Sequence, residues 1–424
     1  MPATTQSTTN IQIDTVTVVS STGNSTDFSL IFTNIVLNES LSSPAMNGFI
    51  EVEDDNNLFE ALPIVGQEVL IIKLVVFDEP FTLKFFIYKI GNLRKLTNRR
   101  KTYTLYFTTY DVLINENRRI SKSYKTFTPQ AIVEDLLLNE MNVTYRGLRV
   151  ENAENRLDYI ATNKKPFTII RELTRRTFSV NNRATNYVFF NDRRGYFFVS
   201  LSSFANQTPK FTYKFRDYIG TENPDTPSIF SDYFTVYDFQ VVNQSDFLAN
   251  LSNGMIASQL YTIDILQRKV NMFDYDYFDN FENRPRMNSA PIYTPSDQFS
   301  AEGSQYFSFT SPTVLDNTYI TENQGDIIPD SYAESRALQI YQKQEFANYV
   351  MRLRVDGNPL MPVGTIINLE FISQLNEEEA NPSNTFSGRN MVVAISHRMD
   401  RSRRYQMTIE TVKDSLLREL GTEL

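Results

Sequence analysis

The chain has 424 residues, 41% hydrophobic and 21% charged, with a net charge of −9. That composition belongs to a soluble globular protein of about three domains at roughly 150 residues each, and its acidic balance argues against a dedicated nucleic-acid binder. One histidine and no cysteine exclude disulfides, cysteine nucleophiles and zinc sites built on histidine or cysteine clusters, and suit assembly in a reducing cytosol.

The N-terminal "MPATTQSTTN" has neither the basic nor the apolar region of a secretory signal. The run Val69 to Phe77 is broken by Lys73. It is far short of the roughly 18–20 residues of a membrane helix, so no membrane insertion is expected. Up to about Glu116 the chain reads as strands: Phe28–Phe32, Gly48–Asp54, Val69–Phe77, Leu83–Ile90 and Tyr103–Tyr110. Short apolar or alternating runs between turn residues, rich in aromatic and β-branched side chains, suggest a barrel or sandwich. At Thr128-Pro129 the pattern changes. Thr128 can cap a helix, Pro129 can open it, and Ile132, Val133, Leu136 and Leu137 recur at helical spacing. A second helix is expected from Pro166, with Phe167, Ile170 and Leu173 inward, and then strands Asn186–Phe190 and Gly195–Leu201.

Strands return from Phe211 to about Val242 and at Gln259–Leu266. The aromatic, proline-bearing stretch that follows, from Met272, reads as an irregular excursion. Ser331-Tyr332-Ala333-Glu334 has the pattern of a capping box opening a helix to about Phe346. The expected division is 1–118, a first tube-like β domain; 119–208, an α+β domain; 209–250 with 346–424, a second, discontinuous tube-like β domain; and 251–345, an inserted domain.

The same phrase is written twice, about three hundred residues apart. The first copy runs Pro63…Gly66, strand Val69–Phe77, strand Leu83–Ile90, a basic turn Asn92–Lys101, then strand Tyr103–Thr109. The second runs Pro362…Gly364, strand Ile366–Ile372, strand Met391–Ser396, a basic turn His397–Arg404, then strand Tyr405–Thr411. Leu105, Phe107 and Thr109 align with Met407, Ile409 and Thr411. Gly66, Gly357 and Gly364 are expected to permit turns, and Pro63, Pro359 and Pro362 to fix backbone angles beside them. A ring of three chains with two modules each would present six similar units, and closed cyclic symmetry is the usual solution for homo-oligomers.

His397 has no Gly-x-Ser-x-Gly elbow to serve and reads as a turn residue. Glu51, Glu53, Asp54 and Asp55 are the candidates for glycoside hydrolysis, which needs two carboxylates across a cleft; solvated strand-end acids are the simpler reading. Asp274, Asp276 and Asp279 lack the glycine of an EF-hand calcium loop. No metal or cofactor is expected. The basic turns, Arg99, Arg100 and Lys101 in the first and Arg401, Arg403 and Arg404 in the second, leave three readings open: solvated tips, contacts with acidic neighbours, or a nucleic-acid groove, the last disfavoured by the acidic total.

Four stretches together resemble the baseplate hub, or tail hub, of contractile-tailed bacteriophages, related to the hub part of type VI secretion spikes. They are "GFIEVEDDNNLFEALPIVGQEVLIIKL", "KTFTPQAIVEDLLLNEMNV", "VDGNPLMPVGTIINLEF" and "NMVVAISHRMDRSRRYQMTIETVKDSL". The resemblance implies a β-dominated α+β fold with two similar barrel-like tube domains in one chain. It also implies a non-enzymatic virion structural protein: a homotrimer whose pseudo-sixfold ring joins a sixfold tail tube to a threefold central spike around a channel. Implied partners are the tail tube protein, a spike on a separate polypeptide and baseplate wedge proteins, with tape-measure protein or DNA passing through the lumen. The implied location is the virion baseplate, assembled in the host bacterial cytoplasm. The alternative from another class is a cell-wall glycan hydrolase or carbohydrate-binding virion protein.

Overall fold

A computed structural model describes residues 11–419 apart from 63, 77–78, 98–99, 145–146, 154, 180–184, 216–233, 265–268, 284, 295–309, 315–340, 343, 372–382 and 403. Pro63, Arg99, Arg403, the Ser331–Glu334 capping box and the Glu377–Glu379 loop therefore lie outside the described residues.

Strands come first: β1 (Ile11–Val19), β2 (Ser25–Asp27), β3 (Phe32–Ser40), β4 (Asn47–Asp54), the short helix α1 (Leu58–Ala61), β5 (Val69–Val76), β6 (Glu79–Lys95), β7 (Lys101–Thr108) and α2 (Asp111–Asn117). Period-2 burial explains them. In β4 the pattern puts Gly48, Ile50, Val52 and Asp54 inside and their neighbours outside. The expected strand Phe28–Phe32 is instead a turn. Phe28 donates its N–H to the Val16 carbonyl, and Ile31 and Phe32 donate back to Phe28. Phe28 is fully buried while Leu30 is 75% exposed, so the apolar run wraps round a corner rather than alternating.

The middle of the chain is β8 (Ile120–Phe127), α3 (Pro129–Glu134) running into a π-helical turn (Asp135–Glu140), β9 (Gly147–Val150), β10 (Leu157–Lys164), α4 (Pro166–Thr174), β11 (Tyr187–Asp192), β12 (Gly195–Ser200) and α5 (Ser202–Ala205). Thr128 occupies the cap position of α3 and Pro129 its first turn, although the threonine hydroxyl makes no capping bond. Ile132, Val133, Leu136 and Leu137 share one core with Phe167, Ile169, Ile170 and Leu173 of α4.

The last part contains β13 (Phe211–Phe215), β14 (Thr235–Asn243), α6 (Phe247–Ser252), β15 (Ala257–Asp264), β16 (Lys269–Asp276), α7 (Tyr277–Asn280), β17 (Thr310–Val314), β18 (Tyr349–Asp356), β19 (Ile366–Glu370), β20 (Gly388–Asp400) and β21 (Tyr405–Lys413). The stretch from Met272, expected to be irregular, begins as a strand, because β16 pairs with β15 along its whole length. Asp276 then caps α7 by accepting from the Phe278 and Asp279 amides, a structural use for one of the calcium candidates.

One 13-stranded sheet runs β19-β13-β14-β18-β21-β20-β3-β4-β7-β6-β5-β1-β2, and β19 also pairs with β20. The β19–β20 pairing closes six strands into a barrel: β14-β18-β21-β20-β19-β13. The first module reads β3-β4-β7-β6-β5-β1. Ranked by chain order within each module, the two sequences of neighbours are the same. Five strands also agree in direction, all their pairings being antiparallel. The sixth differs: β1 runs antiparallel to β5, whereas β13 runs parallel to β19. The two similar barrel-like domains expected from the repeated phrase are therefore present. Leu105 and Phe107 of β7, and Met407 and Ile409 of β21, are all buried in one core cluster shared by both modules.

Candidate functional site: the seam between two modules

β20 is long because it serves two neighbours on one edge. Gly388 to Met391 pair with β19 and complete the barrel. Ala394 to Asp400 pair antiparallel with Ser40 to Asn34 of β3, so the two modules share a continuous ladder. His397 lies within this seam, opposite Leu37, and is 3% exposed. This corrects its reading as a turn residue: β20 continues to Asp400, where the backbone turns back on an Asp400 N–H to Arg404 carbonyl bond. Likewise β6 continues to Lys95, leaving residues 96–100 for the first turn.

Behind the seam is a buried charged cluster. Glu39 on β3 is 1% exposed, and its Oε1 is 2.9 Å from Nε of Arg193 in the β11–β12 turn. The contact lies off the N–H axis, so it is an ion pair rather than an aligned hydrogen bond. The fork end of Arg193 donates to the Pro359 carbonyl at 2.9 Å and the Met361 carbonyl at 3.3 Å. Its neighbour Arg194 donates to the Val363 carbonyl at 3.1 Å and pairs with Asp192. One hairpin tip thus grips the chain leading into β19 while it neutralises a carboxylate of the other module. Burial raises the Glu39 carboxyl above its ordinary range against the opposing pull of Arg193. Burial, then the Arg193 charge, holds His397 well below its ordinary value and keeps the ring neutral. His397 Nδ1 is 2.8 Å from the Tyr405 hydroxyl, which burial keeps protonated. With that hydroxyl as donor, the ring proton sits on Nε2, 3.9 Å from Glu39.

The turns flanking the seam use their glycines sterically. Gly364 has φ +80° and Gly66 φ +91°. The amides of Val65, Gly66 and Gln67 all donate to the buried Glu68 carboxylate at 2.7–3.0 Å. A Cβ on Gly357 would fall 1.9 Å from Cδ1 of Tyr405. Gly357→Ala is expected to cost about 1–3 kcal/mol, the usual range for forcing atoms into a filled core; urea denaturation would measure it. Pro359 and Pro362 lie in the turn between β18 and β19, with the Pro362 carbonyl accepting from Thr365 Oγ1.

In the first basic turn Arg100 and Lys101 pair within the chain. Arg100 Nε is 3.1 Å from Glu53 and 2.9 Å from Asp55, and Lys101 Nζ is 2.5 Å from Glu60. Asp54 is buried and accepts from the amides of Asn56 and Phe59. Three of the strand-end acids considered for hydrolysis therefore hold this corner together. In the second turn Arg401 and Arg404 are exposed, and the Arg404 amide donates to Asp400. Among the described residues no cluster of three His, Asp or Glu could hold a metal ion, and no helix is long and apolar enough to cross a membrane. Arg193 and Glu39, the centre of the site, were not anticipated. The available signal was Asp-Arg-Arg-Gly between the apolar runs Tyr187–Phe190 and Tyr196–Val199.

No family model matches the chain. It is 19% identical over 392 residues to "Probable baseplate hub protein gp334" of Vibrio phage KVP40, covering 90% of each. The likeness to a phage baseplate hub protein thus runs nearly end to end. Among solved structures, the 43 kDa tail protein of prophage MuSo2 from Shewanella oneidensis superposes with TM-score 0.55 at 10% identity, over 95% of this chain and 99% of that one. The tail protein of Neisseria meningitidis MC58 gives the same TM-score and identity over 94% and 96%. The chain has the fold of phage tail proteins.

Proposed function

We propose that this chain is the structural hub of a contractile phage baseplate. Three copies form a pseudo-sixfold ring, joining a sixfold tail tube to a threefold central spike around an open channel. One observation carries the reading: a single strand order occurs twice in the chain, and the two copies are joined edge to edge through β3 and β20. A joint that connects module to module inside one chain is the kind that can be repeated between chains. The near full-length likeness to a named baseplate hub protein supports the same assignment.

In this reading the chain divides at 1–118, 119–208, 209–250 with 346–424, and 251–345, and the α+β part braces the seam through Arg193. Gly66, Gly357, Gly364, Pro63, Pro359 and Pro362 set the turns that place the tube strands. Arg401, Arg403 and Arg404 face a neighbour in the assembly, as does Arg99. The role is non-enzymatic. The partners are the tail tube, a separate spike and the wedges, with tape-measure protein or DNA in transit, and the protein is assembled in the host cytoplasm into the virion.

Light scattering of the purified chain, alone and with its spike, tests the ring. A mass of three copies is expected. A species that stays monomeric with the spike present overturns the reading.

A further inference from the structure

A half-open trough of about 750 Å³ lies between the first module and the α+β part. Its lining is apolar along Pro44 of the β3–β4 turn, Phe86 of β6, Val112 of α2 and Phe167 of α4. Exposed Asn47, Thr168 and Arg171 add polar groups. A second recess of about 150 Å³, lined by Leu41, Thr174 and Tyr187, shares Pro44, Phe167 and Arg171 with the first and extends it along α4. The walls are fixed before anything binds. Asn115 of α2 accepts from the Phe167 amide at 2.9 Å, Lys165 pairs with Glu116, and the Asn191 amide donates to the Ser43 carbonyl at 3.3 Å. A preorganised site of this size loses little on binding.

Charge is distributed unevenly along the chain. Residues 119–208 hold 14 basic and 8 acidic side chains, a net +6 in a chain of −9, so the remainder carries −15. Arg171 is the exposed cation of the trough, and among the described residues its guanidinium has no acidic partner. Arg175, four residues on at the end of α4, is a second exposed cation. Like charges at this spacing on a helix repel, and an anionic occupant relieves them.

We propose that the trough binds a peptide segment of another protein, one that carries carboxylates beside aromatic or aliphatic side chains. The apolar side chains cover Pro44, Phe86, Val112 and Phe167, while a carboxylate meets the free fork of Arg171 in a bidentate pair. A nucleic acid fits poorly, because Glu116 lines the same trough and already neutralises Lys165. The site goes beyond the ring reading, since every residue named for it belongs to one copy.

Selection of a synthetic random peptide library against the immobilised full chain is expected to enrich Asp or Glu beside Phe, Tyr, Leu or Ile. Arg171→Glu should weaken the enriched peptides about tenfold or more. The same peptides with their carboxylates replaced by amides should lose a similar factor on the unaltered chain and nothing further on Arg171→Glu. Thr168→Trp, which fills the trough from an exposed helix position, should block them. No enrichment overturns the proposal, and so does an enriched set that ignores both substitutions. Equal displacement by oligothymidine would make the occupant a nucleic acid, and a fall in the mass of Arg171→Glu by light scattering would make it a second copy; either overturns the assignment. The peptide assay reads the same whether or not the chain forms a ring, so its failure and that of the ring reading are separate results. Circular dichroism confirms that each variant is folded.

Discussion

Arg193→Ala is expected to be the most damaging single substitution in the chain, costing about 3–5 kcal/mol of stability. That is the usual cost of removing one partner of a buried ion pair. Glu39 is 1% exposed and would lose its counter-charge, so it must either stay ionised in a dry site or take up a proton, while the carbonyls of Pro359 and Met361 would lose their donor. Adding Glu39→Gln should recover part of the loss, because an amide needs neither a counter-charge nor a proton taken up on folding. Chemical denaturation measures the cost, and amide exchange should show faster opening at residues 357–364. A loss below about 1 kcal/mol would mean that the ion pair does not brace the two modules.

Lys413→Met is expected to stabilise the protein and abolish a pH dependence. Lys413 ends β21 fully buried, donating to the Asn384 carbonyl at 3.2 Å, with its Nζ 5.1 Å from the centre of the Tyr349 ring. Burial depresses its pKa to about 7 against the opposing influence of Asp414. Between about pH 7 and 10 the unfolded lysine binds a proton that the folded one has lost. Stability should therefore rise with pH across that window, at up to about 1.4 kcal/mol per unit. Above about pH 10 the buried tyrosines reverse the trend: Tyr213, for example, is pushed up to about 12 by burial, so it ionises first in the unfolded chain. Midpoints of urea unfolding at pH 7, 8 and 9 would reveal the slope, and Met at 413 should flatten it. An equal slope in both proteins would place the titration elsewhere.

Much of the fold was legible because one face of each tube strand is apolar and the other is not. Leu105 and Phe107 align with Met407 and Ile409 by pattern alone, and the structure sets each pair at matching positions in two like-ordered modules of one sheet. The failures share a cause. Strand ends are decided by neighbours, not by local sequence: His397 to Asp400 look like a polar turn but are held extended because β3 lies beside them. β1 alternates Thr15 and Thr17 with Val16 and Val18, a strand signal that the sequence does carry. The signal for Arg193 is weak, since a basic residue in a hairpin tip looks solvated until the carboxylate and carbonyls that surround it are brought from 150 or more residues away.

The double duty of β20 has a mechanical side. The bonds that close its barrel and those that reach across to β3 hang from one uninterrupted backbone. A pull along the strands loads them together in shear, so they must fail as a group, whereas a pull across the strands could open them one at a time like a zipper.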